Sequence, residues 1–139
     1  MQRIMAFDVG EKRVGVAVSD PLGITAQGLE TYWRTEDPAA DAQYLRALAE
    51  RYRPVRLVFG LPRNMDGSYG AQAAYTKDFA ALVLEGWDGE YDFYDERLSS
   101  KSAERVLLEA DMSRKKRRAV IDKLAAVVIL QGYMEARGG

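Results

Sequence analysis

Residues 7–20 read FDVGEKRVGVAVSD, two apolar runs joined by a charged turn that contains a glycine. Residues 3–8 form the first run, short and continuously apolar, which suits a strand in the middle of a sheet. Residues 10–13 read as a turn, and 14–18 as a second strand that pairs with the first in a hairpin. Asp8 stands directly at the end of the first run. A carboxylate there is costly to desolvate unless something pairs with it. Two readings are open: it accepts hydrogen bonds from the turn amides of Gly10 and Glu11, or it holds a cation. Gly10 and Gly15 have the spacing of a phosphate-binding P-loop, but Val16-Ala17 replaces the Lys-Ser/Thr that such a loop requires.

Outward from this hairpin, Pro21 and Gly23 punctuate the chain, and 24–33 reads as a third strand. Asp37-Pro38 is an N-cap followed by proline at the first helical position. The helix runs to about 52, with Leu45, Leu48 and Tyr52 on one face. Arg53-Pro54 ends it and 55–60 is a fourth strand. The loop 61–67, LPRNMDG, has strong turn chemistry, and Ser68 is placed to cap a helix over 71–84. A fifth strand at 91–95, a short helix at 101–110 and a long helix from 114 to about 136 complete the chain. Three consecutive strands followed by alternating helices and strands predict an α/β fold in one domain, 1–139. The expected architecture is a ribonuclease H-like mixed five-stranded sheet flanked by helices. Strands 1–3 are antiparallel, and strands 4 and 5 run parallel to strand 1 through right-handed crossovers.

The chain contains no histidine and no cysteine. A Ser-His-Asp or Cys-His device is therefore impossible, and the usual zinc ligand sets are excluded. Chemistry must rest on carboxylates, lysine, arginine, tyrosine, hydroxyls or a hard, oxygen-seeking metal. No apolar run approaches the roughly 18 residues that would span a bilayer. The first strand begins at once, leaving no room for a signal peptide, so a cytoplasmic protein with no membrane partner is expected. Net charge is −1, but residues 97–118 hold eight Lys/Arg against three Asp/Glu, +5 locally, so the remainder carries −6. That asymmetry predicts a basic face on an acidic body.

Three carboxylates stand out. Besides Asp8, Glu96 follows the fifth strand, at the end where open α/β sheets place their sites. Asp122 interrupts AVIDKLAAVVIL (119–130), a helix otherwise apolar except for Lys123 and so expected to be buried. Each has a plainer reading: Glu96 in a surface turn paired with Arg97, Asp122 paired with Arg118 one helical turn earlier. Together, parallel strand order brings them to one edge, and three carboxylates without histidine describe a Mg²⁺ or Mn²⁺ site for phosphodiester hydrolysis. Arg114, Lys115, Lys116, Arg117 and Arg118 crowd a helix N-terminus, where the dipole already disfavours cations. Phosphate would relieve that repulsion. Lys12 and Arg13, beside Asp8, are expected to meet phosphates too, and Asn64 to line the same cleft.

The stretches FDVGEKRVGVAVSD, GLPRNMDGS, DERLSS and SRKKRRAVIDKLAAVVILQGYME together resemble the YqgF-type family, over nearly the whole chain. Proteins of that family are described as pre-16S rRNA nucleases and as Holliday junction resolvases. The resemblance implies a ribonuclease H-like fold and metal-dependent phosphodiester hydrolysis in 5′-end maturation of 16S rRNA. It also implies an acidic site at Asp8, Glu96 and Asp122. Arg63 stands where the family more often has an aliphatic residue, and Ser100 where it often has threonine. RNA (pre-16S rRNA), branched DNA and the small ribosomal subunit are the expected partners, for a monomer or homodimer. The competing functions are a junction resolvase acting on DNA, a non-catalytic rRNA or ribosome-assembly binder, and an actin-like phosphate binder. The last lacks a second domain to close over ATP.

Overall fold

Apolar runs buried almost along their whole length form the middle of the sheet. A computed structural model describes residues 3–61, 70–95 and 114–137, with side chains in the last segment from Asp122 onward. Strands β1 (Ile4–Val9), β2 (Arg13–Ser19) and β3 (Ala26–Trp33) form an antiparallel meander. Strand β4 (Arg56–Leu61) pairs in parallel with β1, and β5 (Glu90–Asp95) in parallel with β4. The order is β3-β2-β1-β4-β5, so the apolar β1 lies in the middle, as its sequence predicts. Strand β3 starts two residues later than expected because Asp20 captures its entry. The Asp20 carboxylate accepts from the amides of Ile24 (2.7 Å) and Thr25 (2.9 Å), and its carbonyl accepts from Gly23. Such local side-chain bonds compete with a strand ladder.

Helix α1 (Pro38–Tyr52) is capped by Asp37, whose carboxylate accepts from the amides of Ala39 and Ala40. It ends at Arg53, which adopts the left-handed conformation while its amide donates to the Ala49 carbonyl. Helix α2 (Ala71–Leu84) begins after Gly70 without a side-chain cap. The expected Ser68 cap and the expected helix at 101–110 lie outside the described residues. Helix α3 (Arg114–Ala136) is the long helix that the sequence predicts.

Strand alternation sorts the core into two layers. Met5, Phe7, Val9, Val14, Val16 and Val18 face α1 and α2, meeting Leu45, Leu48, Phe79 and Val83. Ala6, Ala17 and Val58 face α3, meeting Ala126, Ile129, Leu130 and Tyr133. Small residues on that second face let α3 lie close to the strands. A Cβ at Gly28 would fall 2.6 Å from the Lys123 stem, and one at Gly132 2.6 Å from the Tyr94 hydroxyl. Among the described residues, no helix is long and apolar enough to cross a membrane.

Candidate functional site

Asp8 shares its strand face with Ala6, so its side chain belongs to the α3 layer. Its partner across the hairpin is Gly15. A Cβ at Gly15 would lie 1.9 Å from the Asp122 carbonyl oxygen and 2.5 Å from its carbon. Only glycine lets the helix backbone rest on the strand here. Directly opposed residues lie about 4.5–5.5 Å apart, so Asp8 and Asp122 converge over a single glycine. Arg13, two residues before Gly15 on the same face, donates its Nε–H to the Asp122 carboxylate. Its guanidinium also lies 5.3 Å from the ring centroid of Trp33, its cross-strand partner.

The turn that carries these groups is held from behind. The Gly10 amide donates to the Arg13 carbonyl at 2.8 Å and so closes the turn. The Arg34 amide donates to the Lys12 carbonyl (2.8 Å), and its guanidinium to the Gly10 carbonyl (2.9 Å). That guanidinium lies 4.3 Å from the Phe79 ring centroid and bonds the buried Asp41 of α1. Burial pushes the Asp41 carboxyl up. The Thr35 amide and hydroxyl, the Tyr32 hydroxyl and Arg34 outweigh it and hold the group below its usual value. Tyr32 is pushed up to about 12 by burial and by its bond to Asp41.

The structure thus brings Asp8, Asp122 and Arg13 together and leaves Lys12 exposed in the adjoining turn. Asp122 pairs with Arg13 across the layer; the helical pairing with Arg118 that spacing suggests involves a side chain outside the described ones. Glu96 and Asn64 lie outside the described residues, as do the side chains of Arg114, Lys115, Lys116, Arg117 and Arg118. Asp95, next to Glu96, follows Phe93 by two residues and so belongs to the opposite face, with α1 and α2. Among the described residues no three acidic side chains assemble into a metal site. The two that converge are hard oxygen donors, and one already neutralises a cation, which fits a divalent metal in chemistry. Gly15, Trp33, Arg34 and Asp41 escape the sequence reading. A glycine inside an apolar strand is itself a signal of close backbone approach, and Gly15 carries it.

Residues 2–136 match the family model described as "RuvX: Holliday junction resolvase". A Moorella thermoacetica protein named "Putative pre-16S rRNA nuclease" is 53% identical over 136 residues, covering 98% of this chain and 96% of its own. A Syntrophomonas wolfei protein of the same name is 52% identical over 133 residues, covering 96% and 94%. Among solved structures, Thermus thermophilus RuvC superposes with TM-score 0.59 at 16% identity, covering 99% of this chain and 97% of its own. RuvC from the same organism in complex with a Holliday junction substrate gives TM-score 0.58 at 18% identity, covering 100% and 97%. At such identities the likeness speaks for the fold, and it agrees with the strand order found here. The chain belongs to the RuvX/YqgF family of nucleases, built on a ribonuclease H-like sheet.

Proposed function

We propose that the protein hydrolyses phosphodiester bonds with a divalent metal, Mg²⁺ or Mn²⁺, in maturing the 5′ end of pre-16S rRNA. It would act in the cytoplasm, on the small ribosomal subunit as it assembles. One observation carries this reading: Asp8 and Asp122 converge over Gly15, and Arg13 is held on Asp122. Asp8, Asp122 and Glu96 are the residues that would hold the metal. Bound there, a divalent ion supplies Lewis-acid chemistry and offsets the charge of the phosphate. The chain's own groups do the rest. Gly15 fixes the distance between strand and helix, which sets the separation of the two aspartates. Arg13 and Lys12 place positive charge at the end of the hairpin, where a phosphodiester approaches. The cations of 114–118 lie one to two turns before Asp122 in the same helix, about 6–12 Å along its axis. They bind flanking phosphates without reading sequence. The relatives' names favour RNA, and the family description supports a second reading, cleavage of four-way DNA junctions.

The test is to incubate the purified protein with pre-16S leader RNA, duplex RNA and a four-way DNA junction, each with Mg²⁺, Mn²⁺ or EDTA. Metal-dependent cutting of the leader RNA is expected. A stable dimer making paired symmetric nicks in the junction would transfer the assignment to DNA. RNA binding without cleavage under any condition would make the protein a binder alone.

A further inference from the structure

Trp33 is the last residue of β3, and 45% of it is exposed. An indole gains much from burial, and where one stays open at a functional site its ring offers a stacking surface. Its neighbours hold this ring beside the candidate site. It is the cross-strand partner of Arg13, whose guanidinium packs on it while the Nε–H is bonded to Asp122. The next residue, Arg34, ties the chain to the turn through the hydrogen bond its backbone amide donates to the Lys12 carbonyl. Arg34 itself is anchored in the buried Asp41 network. The indole therefore stands one side chain away from Asp122, on a segment with little freedom to lose on binding.

We infer that Trp33 is a stacking platform for an unpaired nucleobase adjoining the scissile phosphate, so that the site selects single-stranded over base-paired substrate. The inference rests on the nuclease reading and names the substrate feature that the site recognises. Arg13 and the cations of α3 meet the backbone, which is the same in paired and unpaired strands. Within a duplex each base face is already covered by its neighbours, and an indole has nothing to stack on. In a single strand the bases can splay out and lie on an aromatic ring, with little dependence on their identity.

The chain has two tryptophans, which makes the test direct. Trp87 lies just before β5, at the opposite end of the sheet, with its indole N–H bonded to the Glu90 carbonyl at 3.0 Å. In Trp87→Phe protein, Trp33 is the sole indole emitter. Its fluorescence is followed in EDTA as an unpaired oligoribonucleotide, or the same strand annealed to its complement, is added. Anisotropy of a dye on the RNA reports binding independently. The expected result is quenching by the single strand and little change with the duplex, while Trp33→Phe protein, which emits from Trp87, stays constant. Trp33→Ala should bind the single strand roughly tenfold more weakly with an unchanged salt slope, and Trp33→Tyr should recover most of the loss. Binding seen by anisotropy without quenching, or equal quenching by duplex, overturns the platform and leaves the nuclease reading standing. No binding of either RNA overturns both. Should Trp33→Ala fail to fold, the Trp87→Phe titrations still decide.

Discussion

Two arginine–aspartate pairs sit on opposite faces of one sheet, and both touch the β1–β2 turn. Behind the turn, Arg34 and Asp41 have side chains only 5% and 0% exposed. Asp41 accepts from four donors, the Tyr32 hydroxyl, the Thr35 amide, the Thr35 hydroxyl and Arg34 Nε. A carboxylate has about four lone-pair sites, so Asp41 is saturated by protein alone. In front of the turn, Arg13 and Asp122 are 20% and 19% exposed, and Arg13 is the partner found for Asp122 among the described residues. The difference teaches how to read a charged pair. A saturated, dry carboxylate is structural, because exchanging any ligand would leave a buried charge short. A carboxylate at the solvent edge with one cation on it can trade that cation for another.

The largest effect should come from Asp41→Asn, which strips the buried Arg34 of its counter-charge. Breaking a buried pair this way costs about 3–5 kcal/mol, readable as a lower urea midpoint at unchanged slope. The pH dependence follows from the lowered carboxyl. Its stabilisation is present above the ordinary value of 3.8 and disappears as pH falls through the folded-state value. Wild type should therefore lose stability relative to Asp41→Asn in acid, and parallel curves would deny Asp41 this role. Tyr32 has the opposite sign. Its contribution is full below 10.0 and lost as pH rises towards about 12.

Next comes Gly15→Ala. Its Cβ would occupy the space of the Asp122 carbonyl, and overpacking of this kind costs about 1–3 kcal/mol. Because the displaced element is α3, cleavage should fall further than the melting temperature suggests. A well-tolerated alanine would mean that the helix does not rest on the strand there. Smaller again is the triple variant Lys115→Ala, Lys116→Ala, Arg117→Ala. Stability should hold or rise slightly, because cations at a helix N-terminus oppose the dipole. The salt slope of RNA binding should shrink by about 0.7–0.9 for each phosphate that the variant no longer neutralises. An unchanged slope would remove this run from the footprint. The smallest stability effect belongs to Asp122→Asn, within about 1 kcal/mol in EDTA, because a pair at the solvent edge contributes little.

Local signals made the fold legible. The FDVGEKRVGVAVSD hairpin, the Asp37-Pro38 helix start and the apolar run at β4 each carry their own chemistry, and the structure follows them closely. Legibility fails where partners are distant in sequence. Helical spacing makes Arg118 visible along the chain as a candidate partner of Asp122, whereas Arg13, 109 residues away, becomes a neighbour only through the stacking of α3 on β2. Asp41 looks like an acidic residue suited to the first turn of a helix. Its burial depends on Tyr32, Thr35 and Arg34 folding over it, which no periodicity announces. Gly15 shows a third kind of miss: its spacing from Gly10 invites only a P-loop comparison that Val16-Ala17 rules out, while its true constraint is the helix above it. Asp8 and Asp122, the two carboxylates that converge over Gly15, stand out in the sequence because each breaks an apolar pattern.

The most direct measurement is a calorimetric titration of Mn²⁺ into the folded, metal-free wild type, Asp122→Asn and Asp41→Asn proteins, with thermal melts beside each. A metal site at Asp122 predicts saturable binding to wild type and at least roughly tenfold weaker binding to Asp122→Asn at nearly unchanged melting temperature. For Asp41→Asn the prediction is wild-type affinity where the variant is folded, at a much lower melting temperature. Equal affinity of wild type and Asp122→Asn, or a collapse of stability in Asp122→Asn, would contradict this by making Asp122 a structural anion like Asp41.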